Sequence, residues 1–330
     1  MIYTVFESHY IRDFDIVTHV IDTFNTKQKN FTLHTALNFD IICAMKDNNA
    51  DYNIITTREL LKTHGFSFSK SMGQNFLVDE NIPRKIVKQS GIDKSCGVLE
   101  VGPGAGALTA ELSREAGFVT SVELDKRLVP MLLDIFSGYS NVSIVQGDIL
   151  KLDIKKLVDD NMSGLKYHVC ANLPYNITTP AITAFLESGV FDSITVMLQK
   201  EVAQRICAKP GSPEYGAFTV YINYHAKPVI LFDVPPECFT PRPKVTSSVI
   251  KMEAASGRIS DKEKEKIFFK VMRSAFGQRR KTLVNALFAV FNKTHSKDEI
   301  SEIVENSGFD KRIRGEMLSL DDFMKIASHF

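Results

Sequence analysis

Short apolar runs alternate with helical patterns along the middle of the chain. Five of these runs are typical of buried strands, namely Gly97–Val101, Phe118–Val122, Val142–Val145, Tyr167–Ala171 and Ile194–Leu198. Helical patterns lie between them, for example Ala107–Ala116 and Leu128–Phe136. Alternation of this kind predicts βαβ units, so we expect an α/β fold built on a parallel, doubly wound sheet.

Two further apolar runs follow without an apparent helix between them. We expect Phe218–Tyr224 and Ser247–Met252 to close the sheet as an antiparallel pair. The small, polar stretch Ala254–Asp261 indicates a linker. From Lys262 to Phe330 the pattern is helical throughout.

Capping signals place helix ends within this last stretch. Ser296 and Glu299 have the spacing of a capping box, and Gly308 is placed to end the helix that they begin. Ser319–Asp322 is expected to open a last short helix.

The first part of the chain, from Met1 to about Ile55, shows no sustained period. Its five phenylalanines nevertheless argue against simple disorder. A helix near Thr57–Leu61 and the loop Phe66–Asn75 are expected to follow. We therefore expect an N-terminal extension over residues 1–56, an α/β domain over 57–255 and a helical domain over 256–330.

Composition excludes several classes of protein. Hydrophobic residues make up 44% of the chain and charged residues 24%, which is ordinary for a globular protein. No apolar run approaches the length of a membrane span, and the N-terminus lacks a signal-peptide profile. The five cysteines are scattered and none forms a C-x-x-C pair, so we expect a reducing cytoplasm and no metal site.

Charge is distributed unevenly although the net charge is only +1. Eight Lys or Arg residues and no Asp or Glu lie between Lys266 and Lys297, a segment called the acid-free block below. Such a block is typical of contact with a phosphate backbone, although a solvated helix face would look the same.

A glycine-rich turn, Gly102-Pro103-Gly104-Ala105-Gly106, stands between a predicted strand and a predicted helix. Glycines there allow a tight turn and a close approach of the backbone to a ligand. The spacing is G-x-G-x-G rather than the dinucleotide pattern G-x-G-x-x-G, and Glu100 lies in the preceding strand. Both features favour S-adenosylmethionine, although a purely structural turn remains the alternative.

Two acidic residues follow the next two predicted strands. Glu123 comes 21 residues after Gly102, where an acid would bind ribose hydroxyls, and Asp148 is placed to accept an adenine amine. Either acid alone is more often a turn or cap residue. Ligands bind at the carboxyl ends of such strands, so the three positions together predict a nucleoside site.

The segment Asn172-Leu173-Pro174-Tyr175 follows the fourth predicted strand. Proline favours an extended Leu173, whose carbonyl could then join the Asn172 side chain as a second acceptor. Two acceptors would hold both hydrogens of an adenine N6 amine, while Tyr175 stacks on the extruded base. Taken alone, the tetrapeptide would more often be a simple turn.

Several segments, in this order, resemble the motifs of the small-subunit ribosomal RNA adenine N6-dimethyltransferases (dimethyladenosine transferases). They are Gly73–Leu77, the glycine turn, Asn172–Tyr175, Gln199–Ala203, Tyr215–Val220, Phe239–Val245 and Phe276–Leu283. The resemblance runs from about Thr57 to Phe330. It implies a Rossmann-like class I methyltransferase sheet that binds S-adenosylmethionine, followed by a small C-terminal helical domain that binds RNA.

The resemblance also implies the roles of individual residues. Cofactor contacts are expected from Asn75, Leu77, Gly102, Gly104, Glu123, Asp148 and Asn172, and catalysis from Asn172, Leu173, Pro174 and Tyr175. Tyr175 and Phe239 are expected to stack on the target base. RNA contacts are expected from Arg242, Lys244, Arg279, Arg280 and Lys281.

The 23S ribosomal RNA methyltransferases that confer macrolide resistance share the glycine and catalytic motifs. They usually lack Phe276–Leu283, so this segment favours the small-subunit enzymes. The chain departs from the family at Val284, where an Arg is common, and this implies one phosphate contact fewer. Family members commonly begin shortly before the position equivalent to Thr57, so we expect translation to start at Met45. The alternative is that residues 1–44 form a genuine N-terminal extension.

The sequence suggests three possible functions. The first is dimethylation of two adjacent adenosines in the 3′-terminal hairpin of 16S rRNA, in the immature small subunit, by a monomer. The second is an assembly factor that binds pre-ribosomes. The third, a nicotinamide-dependent dehydrogenase, is remote because the glycine spacing is different and no Tyr-x-x-x-Lys or His candidate stands out.

Overall fold

The computed structural model describes residues 75–257 and 259–330 of the 330-residue chain. Its strands are β1 (Phe76–Leu77), β2 (Cys96–Val101), β3 (Phe118–Glu123), β4 (Val142–Gln146), β5 (Lys166–Asn172), β6 (Ser193–Gln199), β7 (Ala226–Val234), β8 (Phe239–Thr240) and β9 (Ser247–Ala254). Its α-helices are α1 (Asn81–Ser90), α2 (Ala107–Glu115), α3 (Val129–Ile135), α4 (Ile154–Met162), α5 (Thr178–Ser188), α6 (Lys200–Ile206), α7 (Ala217–His225), α8 (Lys262–Gly277), α9 (Leu283–Phe291), α10 (Lys297–Asn306) and α11 (Leu320–Ala327).

Some predictions fall outside the described residues. They are the N-terminal extension with the Met45 start, the helix near Thr57–Leu61, and the loop Phe66–Asn75 up to its last residue.

Seven strands form the main sheet in the order β4-β3-β2-β5-β6-β9-β7. The first five are parallel, and β9 is antiparallel to both β6 and β7. Each of the five strands predicted from the sequence lies inside an observed strand, so the α/β prediction is confirmed. A separate two-stranded ladder joins β1 to β8.

Both faces of the sheet are covered, which explains the apolar runs. In β2, Val98 packs in one core cluster and Leu99 in another, since successive side chains of a strand point to opposite faces. A parallel strand buried on both faces has no polar side, so its sequence does not alternate.

The predicted strand Phe218–Tyr224 is wrong, because these residues lie in α7. This helix is buried on two sides. Ile222 belongs to the core of the sheet, whereas Val220 and Tyr224 belong to the core of the C-terminal helices. The antiparallel pair that closes the sheet is instead β7 with β9, so the prediction for Ser247–Met252 is confirmed.

The C-terminal helices α8 to α11 share one apolar core, which includes Phe268, Leu287 and Phe323. The capping predictions are confirmed. Ser296 Oγ accepts from Glu299 N at 3.2 Å while the Glu299 carboxylate accepts from Ser296 N at 2.7 Å, and α10 begins there. Gly308 adopts φ +90° just after α10, and Ser319 with Asp322 caps α11.

The predicted linker Ala254–Asp261 overlaps a stretch without regular structure, and the division into two domains stays a prediction. After β9 ends at Ala254, residues 255–257 and 259–261 contain neither helix nor strand. Across the described residues, every helix is too short or too polar to traverse a lipid bilayer.

Candidate active site

The candidate site lies at the point where the sheet reverses its strand order. From β2 the chain moves outward to β3 and β4, and from β5 it moves the opposite way to β6. Ligands of doubly wound folds bind outside the carboxyl ends of the strands at such a point. A cavity of about 290 Å³ opens there.

The cavity brings together the predicted catalytic and cofactor residues. Its lining includes Asn75, Leu77, Gly102, Gly104, Glu123, Asp148, Asn172, Leu173, Pro174 and Tyr175. These residues come from five separate segments of the chain, and the fold places all of them around one space.

The glycine turn fits closely between its neighbours. Gly102 and Gly104 have φ of +69° and +60°, values that residues with a side chain rarely adopt. A Cβ on Gly104 would lie 3.1 Å from the Phe76 ring, and one on Gly102 would lie 3.5 Å from Pro174 Cδ. Small residues are therefore needed where the turn passes between β1 and the catalytic segment.

Glu123 ends β3 as a buried carboxylate beside this turn. Its Oε2 accepts from Gly104 N at 3.3 Å and its Oε1 from Asp125 N at 2.8 Å. Burial raises the pKa of Glu123, although both backbone donors oppose that shift. Each oxygen has a further lone pair, so the carboxylate can still accept from two vicinal hydroxyls.

Glu100 is a second buried acid in the cavity wall, and the sequence marked it only as an acid before the turn. It is 1% exposed, and its Oε2 accepts from the hydroxyls of Thr109 and Ser121 at 2.6 Å each. Burial raises the pKa of Glu100 to about 7. Two carboxylates in one poorly hydrated cavity favour a cationic ligand.

Asp148 is partly used by its own turn, as the simpler interpretation expected. Its Oδ1 accepts from Leu150 N at 3.1 Å, and Lys151 Nζ lies 3.4 Å from its Oδ2. The carboxylate nevertheless lines the cavity.

Two cavity residues, Leu124 and Leu150, were not found from the sequence. They are 53% and 41% exposed, although most large apolar residues of this size are buried. Each follows one of the two strand-end acids, Glu123 or Asp148, and that position was the available signal. Exposed apolar side chains inside a cavity suit a flat ring that would cover them.

Asn172 is oriented at the end of β5 by one long hydrogen bond. Its side-chain Nδ2 donates to the Asn75 carbonyl at 3.4 Å. Since the amide nitrogen is engaged there, the amide oxygen is left as an acceptor for another group. Leu173 N donates to the Met197 carbonyl in β6 at 3.1 Å, which anchors the main chain of the same segment.

Tyr175 is half-buried in the cavity wall. Its hydroxyl is hydrogen-bonded to Ser247 Oγ at 2.7 Å. Burial raises the pKa of Tyr175. The sequence gave no indication of Ser247 as a partner, because 72 residues separate the two.

Phe239 is not brought into the cavity. It is 3% exposed, pairs with Leu77 in the β1–β8 ladder and packs in a core cluster. A stacking role would require the ring to become exposed, and that role stays a prediction. Nearby, Arg242 is exposed and ion-paired with Glu237, and Lys244 is exposed.

The basic residues near the start of α9 fall into two groups. Arg279 donates from Nε to Glu316 at 2.8 Å and from Nη2 to the Pro213 carbonyl at 2.9 Å. Arg280 and Lys281 are exposed. Arg279 thus ties the helical part to a loop of the catalytic part.

Val284 is buried in the core of the C-terminal helices. At this point of departure from the family pattern, the chain therefore places an apolar side chain that contributes to packing.

Within residues 75–257 and 259–330, no three His, Cys, Asp or Glu side chains cluster closely enough to hold a metal ion. The cysteines of this part, Cys96, Cys170, Cys207 and Cys238, are all free thiols.

Comparison with known proteins identifies the family that this chain resembles. The model of the family described as ribosomal RNA adenine dimethylase matches residues 65–325. A ribosomal RNA small subunit methyltransferase A from Alkaliphilus oremlandii is 42% identical over 274 residues, which cover 83% of this chain and 95% of the relative. The protein of the same name from Lachnoclostridium phytofermentans is 45% identical over 273 residues, covering 82% and 94%.

Solved structures have the same fold. A dimethyladenosine transferase from Plasmodium falciparum superposes with a TM-score of 0.63 at 25% identity, covering 76% of this chain and 95% of that one. The 23S rRNA methyltransferase ErmE superposes with a TM-score of 0.62 at 21% identity, covering 77% and 99%, and shares the fold.

Proposed function

The chain belongs to the family of ribosomal RNA adenine dimethylases, and from this membership we propose how it acts and on what. It uses S-adenosylmethionine to dimethylate N6 of two adjacent adenosines in the 3′-terminal hairpin of 16S rRNA. Its substrate is the immature small subunit, which it meets in the cytoplasm as a monomer.

The observation that carries this proposal is the orientation of Asn172. Its amide nitrogen is held by the Asn75 carbonyl, and the residue lines the same cavity as the glycine turn. The amide oxygen is therefore available as an acceptor in a residue that lines the space proposed for a methyl donor and an amine.

The cavity suits S-adenosylmethionine. Glu123 would accept from the ribose hydroxyls, Asp148 from the adenine amine, and Leu124 and Leu150 would cover the adenine ring. Glu100 and Glu123 give the wall a negative character that matches a cation. When bound, this cofactor supplies a methyl group on a positively charged sulfur, a good electrophile.

The catalytic segment prepares the amine. The lone pair of an adenine N6 amine is delocalised into the ring, so the nitrogen is a poor nucleophile. Asn172 Oδ1 and the Leu173 carbonyl accept its two hydrogens, which favours a tetrahedral nitrogen and directs the lone pair outward. Tyr175 stacks on the extruded base and holds it in line. The rate enhancement comes from positioning rather than from a strong base.

Exposed basic residues would hold the RNA. Arg280 and Lys281 lie in the acid-free block, and Arg242 and Lys244 lie in the loop that precedes β9. Cations at these positions would contact phosphates and bring the hairpin to the cavity.

The test is methyl transfer by Asn172→Ala, with labelled S-adenosylmethionine and small subunits that lack the modification. We expect the rate to fall by at least about a hundredfold, the order seen when a positioned polar group is removed from an active site. Cofactor affinity should change much less, since most cofactor contacts remain.

The matched control is Asn161→Ala, which removes an amide that bonds only to the Leu157 carbonyl within its own helix. It should transfer methyl groups at the wild-type rate. Undiminished transfer by Asn172→Ala would disprove the proposed role of this residue.

A further inference from the structure

The ring of Tyr175 is held at its far end by a residue outside the catalytic segment. The hydroxyl of Tyr175 lies 2.7 Å from Ser247 Oγ. A tyrosine with one apolar and one polar end usually needs a partner for the hydroxyl when it is partly buried. Burial raises the pKa of Tyr175, whereas its hydrogen bond to Ser247 opposes that shift.

Ser247 is a rigid anchor. It is 0% exposed and is the first residue of β9. On one side it pairs with Gln199 of β6, and on the other with Val234 of β7. The main chain of a residue held between two strands has little freedom, so Ser247 provides a firmly placed partner for Tyr175, which lines the cavity.

The next residue makes a different contact. Ser248 is also fully buried, but its hydroxyl donates to Asp233 Oδ1 at 2.6 Å. Adjacent strand residues point to opposite faces, and only Ser247 is turned toward the catalytic segment. The two serines thus form a natural pair of test and control.

We propose that Ser247 is a positioning residue for methyl transfer, which fixes the far end of the Tyr175 ring and so the place where the target adenine stacks. This inference rests on the proposed function. A phenol attached only at Cβ can swing about the Cα–Cβ bond, and stacking fails when the ring moves away from the base. Anchoring the hydroxyl restricts that motion before the base arrives, so less conformational entropy is lost when the reactive complex forms.

The experiment is single-turnover methyl transfer to unmodified small subunits, with the enzyme in excess. Ser247→Ala removes the anchor, and Tyr175→Phe removes the same bond while keeping the ring. We expect each variant to lower the transfer rate by about tenfold, the upper range for one net hydrogen bond. The double variant should be no slower than either single one, because all three lack the same contact.

Controls separate positioning from general damage. Ser248→Ala should transfer at the wild-type rate, and Ser247→Thr, which keeps a hydroxyl on a strand residue, should recover most of the activity. The dissociation constants for S-adenosylmethionine and for the subunit should stay within about twofold of wild type. Thermal unfolding monitored by circular dichroism should show that every compared variant is folded.

Two results would overturn the inference. One is a wild-type transfer rate in Ser247→Ala or Tyr175→Phe. The other is a double variant whose loss is the product of the single losses, about a hundredfold, which would mean that the two residues act independently. If the wild-type protein transfers no methyl group, the proposed function is wrong. If wild type is active and Ser247→Ala is equally active, only the inference about Ser247 is wrong.

Discussion

At the scale of single residues, the cavity wall contains two acids, Glu100 and Glu123, whose pKa values are raised by burial. Glu100 has the clearest shift, with a pKa raised to about 7 from an ordinary value of 4.5. The folded protein therefore binds this proton more tightly than the unfolded chain does. The contribution of Glu100 to stability is fully present below about pH 4.5 and is lost as the pH rises to about 7.

Replacement of Glu100 by Gln should consequently stabilise the protein at high pH. With no cofactor present, we expect the free energy of unfolding at pH 8 to rise by up to about 3 kcal/mol, since one pKa unit corresponds to 1.36 kcal/mol. At pH 4 the neutral amide and the protonated acid differ little, so the gain should vanish. Urea unfolding of wild type and variant at both pH values measures this change in the free energy of unfolding.

The control is Glu115→Gln, an exposed acid at the end of α2, which should show no gain at either pH. An equal effect of Glu100→Gln at pH 4 and pH 8 would show that burial of charge is not the cause.

The sequence predicted many of the residues that line the candidate site but not the side-chain contacts between them. Strand-end positions such as Glu123 and Asn172 could be placed because parallel strands end at one edge of the sheet. Ser247 could not be placed, since its bond to Tyr175 depends on how β9 returns beside β6. Phe239 matched a motif, yet the β1–β8 ladder buries its ring.

At the scale of elements, the sequence predicted the parallel strands and failed at α7 and β7. Helix α7 is packed by the sheet on one side and by the C-terminal helices on the other, so it lacks the single apolar stripe that identifies a helix. Strand β7 contains Pro228 and lies at the sheet edge, where proline is tolerated but obscures the pattern. In both cases tertiary surroundings, absent from a local window, decided the structure.

At the scale of the whole molecule, neighbouring basic residues of the acid-free block have different surroundings. Arg279 binds Glu316 within the helical part and donates to the Pro213 carbonyl of the catalytic part. Arg280 and Lys281 are exposed beside it. We therefore expect Arg279 to hold the two parts together and Arg280 and Lys281 to be available for phosphate contacts.

This division predicts different behaviour for neighbouring residues. Arg280→Ala and Lys281→Ala should each lower the salt dependence of subunit binding by about 0.7 to 0.9 in the slope of log affinity against log salt. Arg279→Lys keeps its charge, so the slope should be unchanged. The lysine lacks the planar guanidinium that donates to both Glu316 and the Pro213 carbonyl, so the free energy of unfolding should fall by about 1 kcal/mol.

Filter binding between about 50 and 200 mM salt measures the slopes, and urea unfolding measures the stability. Lys155→Ala, at an exposed lysine of α4 outside the block, is the control for loss of one charge. A reduced slope with intact stability in Arg279→Lys would assign Arg279 to the RNA instead.

The central claim is the identity of the modified atoms. The most direct measurement incubates the purified protein with S-adenosylmethionine and unmodified small subunits, then maps the modified nucleosides by mass spectrometry of RNA fragments. We predict N6,N6-dimethyladenosine at two adjacent positions in the 3′-terminal hairpin of 16S rRNA. Methyl groups found only in large-subunit RNA, or on any atom other than adenine N6, would contradict the account.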